Sequence, residues 1–106
     1  MATDREYLEF IKAQLDGMED IVLRPMMGEY ILYYRGKIVG GIYDDRLLVK
    51  PVESAIGYLN SVVYETPYEG AKDMLLVDDV DDREYLRGLL EAIYDELPAP
   101  NPKKKR

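Results

Sequence analysis

A chain of 106 residues has room for one domain, and its lack of cysteine and histidine excludes disulfide staples, nitrogen–sulfur zinc sites and every nucleophile–imidazole arrangement. The net charge of −7 is unevenly spread: Lys103, Lys104, Lys105 and Arg106 supply 4 of the 14 basic residues, so residues 1–102 carry 10 basic against 21 acidic side chains, about −11, a body that repels a duplex phosphate backbone. No apolar run approaches the ~20 residues that cross a bilayer, and Met1-Ala2-Thr3-Asp4-Arg5-Glu6 lacks an export layout, so a cytoplasmic location without membrane contact is expected.

Thr3 and Glu6 read as a capping box ahead of Leu8, Ile11, Leu15 and Met18, whose spacing predicts an amphipathic helix over about 4–16, stopped by Gly17. Ile21-Val22-Leu23-Arg24, closed by Pro25, reads as an edge or terminal strand. Tyr30-Ile31-Leu32-Tyr33-Tyr34 and the run 37–43 flank Arg35-Gly36, where glycine takes the positive φ of a tight hairpin. A second hairpin at Asp44-Asp45-Arg46 leads into Leu47-Leu48-Val49-Lys50 and ends at Pro51. Residues 53–59 read as a short helix, 64–70 as an extended loop and 74–77 as one more strand. Asp81 or Asp82 then caps a helix in which Leu86, Leu89, Leu90, Ile93 and Leu97 recur with the helical period until Pro98.

Short hairpin connections and helices at both chain ends predict an α+β fold. We expect a two-layer sandwich with an antiparallel sheet of four to five strands, the helices lying on one face. Residues 1–98 form the domain, and 99–106 a disordered, Pro/Lys-rich tail. In the strand around Leu32, Tyr30, Leu32 and Tyr34 point one way and Ile31 and Tyr33 the other, so both faces are apolar and one is free for a partner, with a homodimer expected.

Chemistry is approached by elimination. Ser54, Ser61, Thr3 and Thr66 are the available aliphatic hydroxyl nucleophiles, none in a nucleophile elbow. Gly40-Gly41 falls inside a strand, where it marks a bulge or leaves room for a tyrosine ring rather than cradling a phosphate. Asp44-Asp45 and the acidic run 78–82 stand where turns and a helix N-terminus favour aspartate, and their spacing does not match a calcium loop. No catalytic residue, metal or cofactor is expected.

Arg24-Pro25-Met26-Met27-Gly28-Glu29-Tyr30, a hairpin with Gly36, then Gly40-Gly41-Ile42-Tyr43-Asp44-Asp45 and Leu47-Leu48-Val49-Lys50 resemble the N-terminal domain of the TfoX competence-regulator family. The likeness runs from Tyr7 to about Leu97, including Pro67-Tyr68-Glu69-Gly70, and would make the chain a single-domain member. The family's usual Met-Phe-Gly-Gly stands here as Met26-Met27-Gly28-Glu29. The resemblance implies a secretion-chaperone-like fold, a link to transcriptional control of DNA uptake, and no catalytic residue to carry over.

The leading expectation is a non-enzymatic regulatory domain that binds a protein, with transcription machinery the candidate partner. Its surface would comprise Arg24, Met26, Met27, Gly28, Glu29, Tyr30, Lys50 and Tyr68. One of Met26 and Met27 is expected in the core, and Arg24 reads equally as part of that surface or as a solvated pair with Glu29. The alternative is a small-molecule or anion-binding domain, or a cryptic enzyme, that uses Arg24 and Lys50 as anion anchors with Glu29 or Tyr68 nearby. The folded body is not expected to bind DNA.

Overall fold

The computed structural model describes residues 3–98; Met1, Ala2 and the tail expected over 99–106 lie outside the described residues. The elements in chain order are helix α1 (Arg5–Gln14), strands β1 (Ile21–Met26), β2 (Glu29–Tyr34), β3 (Lys37–Tyr43) and β4 (Arg46–Val49), helix α2 (Glu53–Tyr58), strands β5 (Tyr64–Glu65) and β6 (Met74–Leu76), and helix α3 (Arg83–Ile93), followed by a 3-10 turn at Tyr94–Glu96.

Asp4, not Thr3, caps α1: its carboxylate accepts from the Glu6 N–H at 3.3 Å. The expected capping box does not form because the Thr3 hydroxyl is taken by Glu29, 2.6 Å away. The helix turns its Leu8 and Ile11 inward and stops at Leu15, after which Gly17 at φ 95° redirects the chain. Gln14 is also buried, which is affordable because its amide donates to the carbonyls of Val80 and Asp81 at 2.8 and 2.9 Å.

The sheet has the order β1-β2-β3-β4-β6-β5, with every neighbour pair antiparallel. Its six strands exceed the four to five expected. The addition is β5, which pairs Tyr64 with Leu75 and Glu65 with Met74, inside the run read as loop. A strand of two residues is too short to show alternation. β1 runs on through Pro25 to Met26, an extension tolerated because β1 has a neighbour on one side only.

Hairpins with two-residue turns join β1 to β4. Met27-Gly28 has φ of 54° and 87°, Arg35-Gly36 53° and 83°, and Asp44-Asp45 51° and 60°. Positive φ at both central residues is the type I′ signature, whose twist matches that of the strands. Aspartate fills the last turn without glycine because its short side chain tolerates the left-handed region. Between β2 and β3 the register shifts: Leu32 faces Gly40 but Tyr33 faces Ile38, so Val39 is the extra residue of a bulge.

The helices lie against one face of the sheet. From that face Leu32, Tyr34, Val39, Ile42, Leu47, Val49 and Leu75 form one core with Ile11 of α1, Ala55 of α2, and Leu86, Leu89, Leu90 and Ile93 of α3. Both Leu89 and Leu90 are fully buried. Truncating either to alanine should cost about 2–5 kcal/mol through lost burial and a residual cavity, read by chemical denaturation.

Tyr85 joins α3 to the loops beside it. Its hydroxyl donates to Asp78 at 2.8 Å and accepts from the Asn60 N–H at 2.9 Å, and its ring stacks on Tyr58 with centroids 5.2 Å apart. Burial, opposed by the Asn60 hydrogen bond and reinforced by Asp78, pushes the phenol up from 10.0 to about 12. The folded state therefore favours the neutral phenol, a contribution complete below pH 10 and lost as pH rises through 12. Tyr85→Phe should flatten the fall in stability across that window, measured by denaturation at stepped pH beside an ultraviolet phenol titration.

Candidate functional site

Because side chains alternate along a strand, the residues between those of the core point to the face that carries no helix. One row across it reads Arg24, Ile31, Gly41, Leu48 and Leu76, on β1, β2, β3, β4 and β6. Beside that row stand Val22, Tyr33 and Ile38 on one side, and Met26, Glu29, Tyr43 and Arg46 on the other.

The two halves of this face differ. Over β3 and β4 the connection from β5 to β6 folds back, burying Pro67 and setting the Tyr68 ring 5.9 Å from that of Tyr43. Leu48 and Tyr43 are consequently buried although they lie outside the helix-packed core. A methyl group at Gly41 would stand 2.7 Å from the Tyr43 ring, so glycine here makes the space the aromatic side chain occupies. Burial, then the nearby charges of Tyr68 and Glu29, pushes the Tyr43 phenol up.

Over β1 and β2 no segment among the described residues covers the sheet in a comparable way. Val22 is 50% exposed and Ile38 38%, while Ile31 and Tyr33 are half-buried. The Arg24 guanidinium lies 5.5 Å from the Tyr33 ring centre, a cation–π arrangement that leaves its donors toward solvent.

The residues expected to form a surface are thus divided. Arg24, Met26 and Glu29 share the helix-free face, Tyr68 covers its closed corner, and Lys50 lies just past the end of β4. Met27 and Gly28 form the β1–β2 turn. Tyr30 points the other way, packing against the core. There it helps line a groove of about 320 Å³ between α1 and β1, walled by Leu8, Leu15, Met18, Ile21 and Leu23, with Lys12 and Asp16 among its lining residues.

The structure corrects one expectation and decides between the two readings of Arg24. Neither methionine joins the core: Met26 is half-buried on the helix-free face, and Met27 is 96% exposed because it occupies the tip of the turn. Arg24 does not pair with Glu29, whose carboxylate is engaged by the Thr3 hydroxyl at 2.6 Å and the Asp44 N–H at 3.1 Å. Arg24 and Lys50 lie three strands apart, roughly 14 Å or more between backbones at the usual strand spacing.

Val22 and Ile38 were not singled out from the sequence: alternation places Val22 beside Arg24, but Ile38 reaches this face only through the bulge at Val39. Arg46 forms an ion pair with Glu65. The acidic residues have local work: Asp82 accepts from the Tyr85 N–H, Asp45 from the Asp4 N–H, and Asp78 from Ser61 and Tyr85. Among the described residues no cluster of three or more acidic side chains is placed to hold a metal ion. No described helix is long and apolar enough to cross a membrane.

Glu29 fastens the N-terminal segment to the turns beneath it, together with the bond from the Thr3 N–H to the Gly28 carbonyl at 3.0 Å. Glu29→Ala should cost about 1 kcal/mol and accelerate hydrogen exchange at the Asp44 amide, followed by two-dimensional NMR.

No family model matches the chain, and no solved structure gives a significant match. The chain is 36% identical over 107 residues to the "Uncharacterized 12.7 kDa protein in trpE 5'region" of Spirochaeta aurantia, an alignment spanning 100% of this chain and 93% of that protein. Likeness of that degree over the full length of one domain places the chain in the same family as the Spirochaeta aurantia protein.

Proposed function

We propose that the protein is a non-enzymatic regulatory domain that binds another protein through the open half of its helix-free sheet face. The observation that carries this reading is the patch formed by Val22, Ile31, Tyr33 and Ile38, with Arg24 laid on Tyr33 and no element of the described chain packed over it. Apolar and aromatic side chains beside an arginine are the composition of interface centres, and a rigid sheet presents them without an ordering cost. The TfoX-like run from Arg24 to Lys50 supports a regulatory role linked to competence and makes transcription machinery the candidate partner. The acidic body supports a division of labour in which DNA contact is left to that partner.

A photo-crosslinking residue at position 38 should capture a discrete partner in the native cytoplasm. Val22→Glu, carried alongside it, should abolish that capture with little change in melting temperature, since Val22 is half exposed. Capture that survives Val22→Glu and Arg24→Glu together, or submicromolar duplex binding by residues 1–98 at physiological salt, would overturn the reading.

A further inference from the structure

An open sheet has two edges, and this one treats them differently. β1 is protected in the usual ways, with Pro25 in the strand and Arg24 beside it. β5 is not. Around it residues 62–66 read Val-Val-Tyr-Glu-Thr, a composition suited to pairing, and among the described residues no strand lies on its outer side. Val62, Val63 and Tyr64 are 47%, 41% and 50% exposed. The inner side of the run is already in use beyond the two paired residues, because the Leu76 N–H donates to the Val63 carbonyl at 2.8 Å. The chain is therefore held extended there, with alternate backbone groups turned outward.

We propose that a second copy of the chain occupies this edge, its own 62–66 run pairing antiparallel with the first about a two-fold axis. Charge permits pairing at this strip. The body carries about −11, and two such bodies repel. Glu65 is the one charged residue of the run, and Arg46 neutralises it. Two copies thus meet along a run that brings no unpaired charge of its own, with Asp73 and Asp78 held at its ends by the Thr66 hydroxyl and the Ser61 N–H. With the axis at Tyr64, Val62 faces Thr66 and Val63 faces Glu65, so no glutamate meets its counterpart. The same rotation closes the assembly at two. Pro67 ends the run, which keeps the contact short and places the dissociation constant in the micromolar range or weaker. This edge is separate from the open face over β1 and β2, so the pairing stands independently of the partner proposed there.

Sedimentation equilibrium of the full chain from about 10 μM to 1 mM tests it against Tyr64→Lys, Val63→Lys and Ile38→Lys. Lysine at an exposed edge is a substitution natural sheets tolerate, and thermal melts verify that each variant is folded. The expected result is a monomer–dimer equilibrium in the parent chain, weakened at least ~10-fold by both edge variants and unchanged by Ile38→Lys. The Tyr64 amide should also exchange more slowly as concentration rises. A monomer throughout, a dimer indifferent to both edge variants, or a dimer lost in Ile38→Lys, which would mean face-to-face pairing, overturns the proposal. If one edge variant fails to fold, the other variant and the concentration dependence of the Tyr64 amide decide.

Discussion

A side-chain period of two makes register the governing constraint in this molecule: a slip of one residue in any hairpin would exchange its buried and exposed sets. The turns at Met27-Gly28, Arg35-Gly36 and Asp44-Asp45 remove that freedom, since each allows two residues and holds both at positive φ. The extra residue in the β2–β3 pairing is just as consequential. Val39 is absorbed by the bulge, and this lets Ile38 point to the helix-free side while Ile42 points to the helices. Gly40 then lies under the neighbouring strand, where an added methyl group would collide with the Leu48 carbonyl.

Polar side chains close what the strands leave open. Glu29 binds the chain's beginning to two turns, Gln14 ties the end of α1 to the segment before α3, and Glu96 accepts from both the Ser54 N–H and hydroxyl at 2.8 Å. At the far end of β2 and β3, Lys37 donates to the Tyr94 carbonyl at 3.1 Å and lies 4.2 Å from its ring centre. Each contact joins positions far apart in sequence. Together they fix the layers around an apolar core that would by itself permit sliding.

Periodicity and turn chemistry made much of this architecture legible in advance. The Leu86, Leu89, Leu90 and Ile93 repeat specified a buried helix face, and Arg35-Gly36 and Asp44-Asp45 specified hairpins, because those signals are local. What escaped was set by tertiary contact. Thr3 has the form of a cap, but Glu29 competes for its hydroxyl; Arg24 has an acid within reach in sequence, but that acid serves Thr3 and Asp44. β5 exists only because β6 is beside it. The candidate surface was half legible: Arg24 and Glu29 fall on one face as alternation requires, but the loop that buries Pro67 and covers Leu48 could not be read from residues 64–70 alone.

The reach of Gln14 also orders the entropic costs of assembly. Each hairpin from β1 to β4 closes a two-residue loop, whereas Gln14 must meet carbonyls 66 and 67 positions away. Closure cost rises with the length of chain enclosed, so the meander is inexpensive to form and the final helix is the expensive closure. As the chain leaves the ribosome, β1 to β4 can be complete while α3 is still unmade. During that interval Leu32, Ile42, Leu47 and Val49 present an apolar sheet face that only α1 and, once made, the short α2 can shelter, and the last helix becomes the lid that ends the exposure.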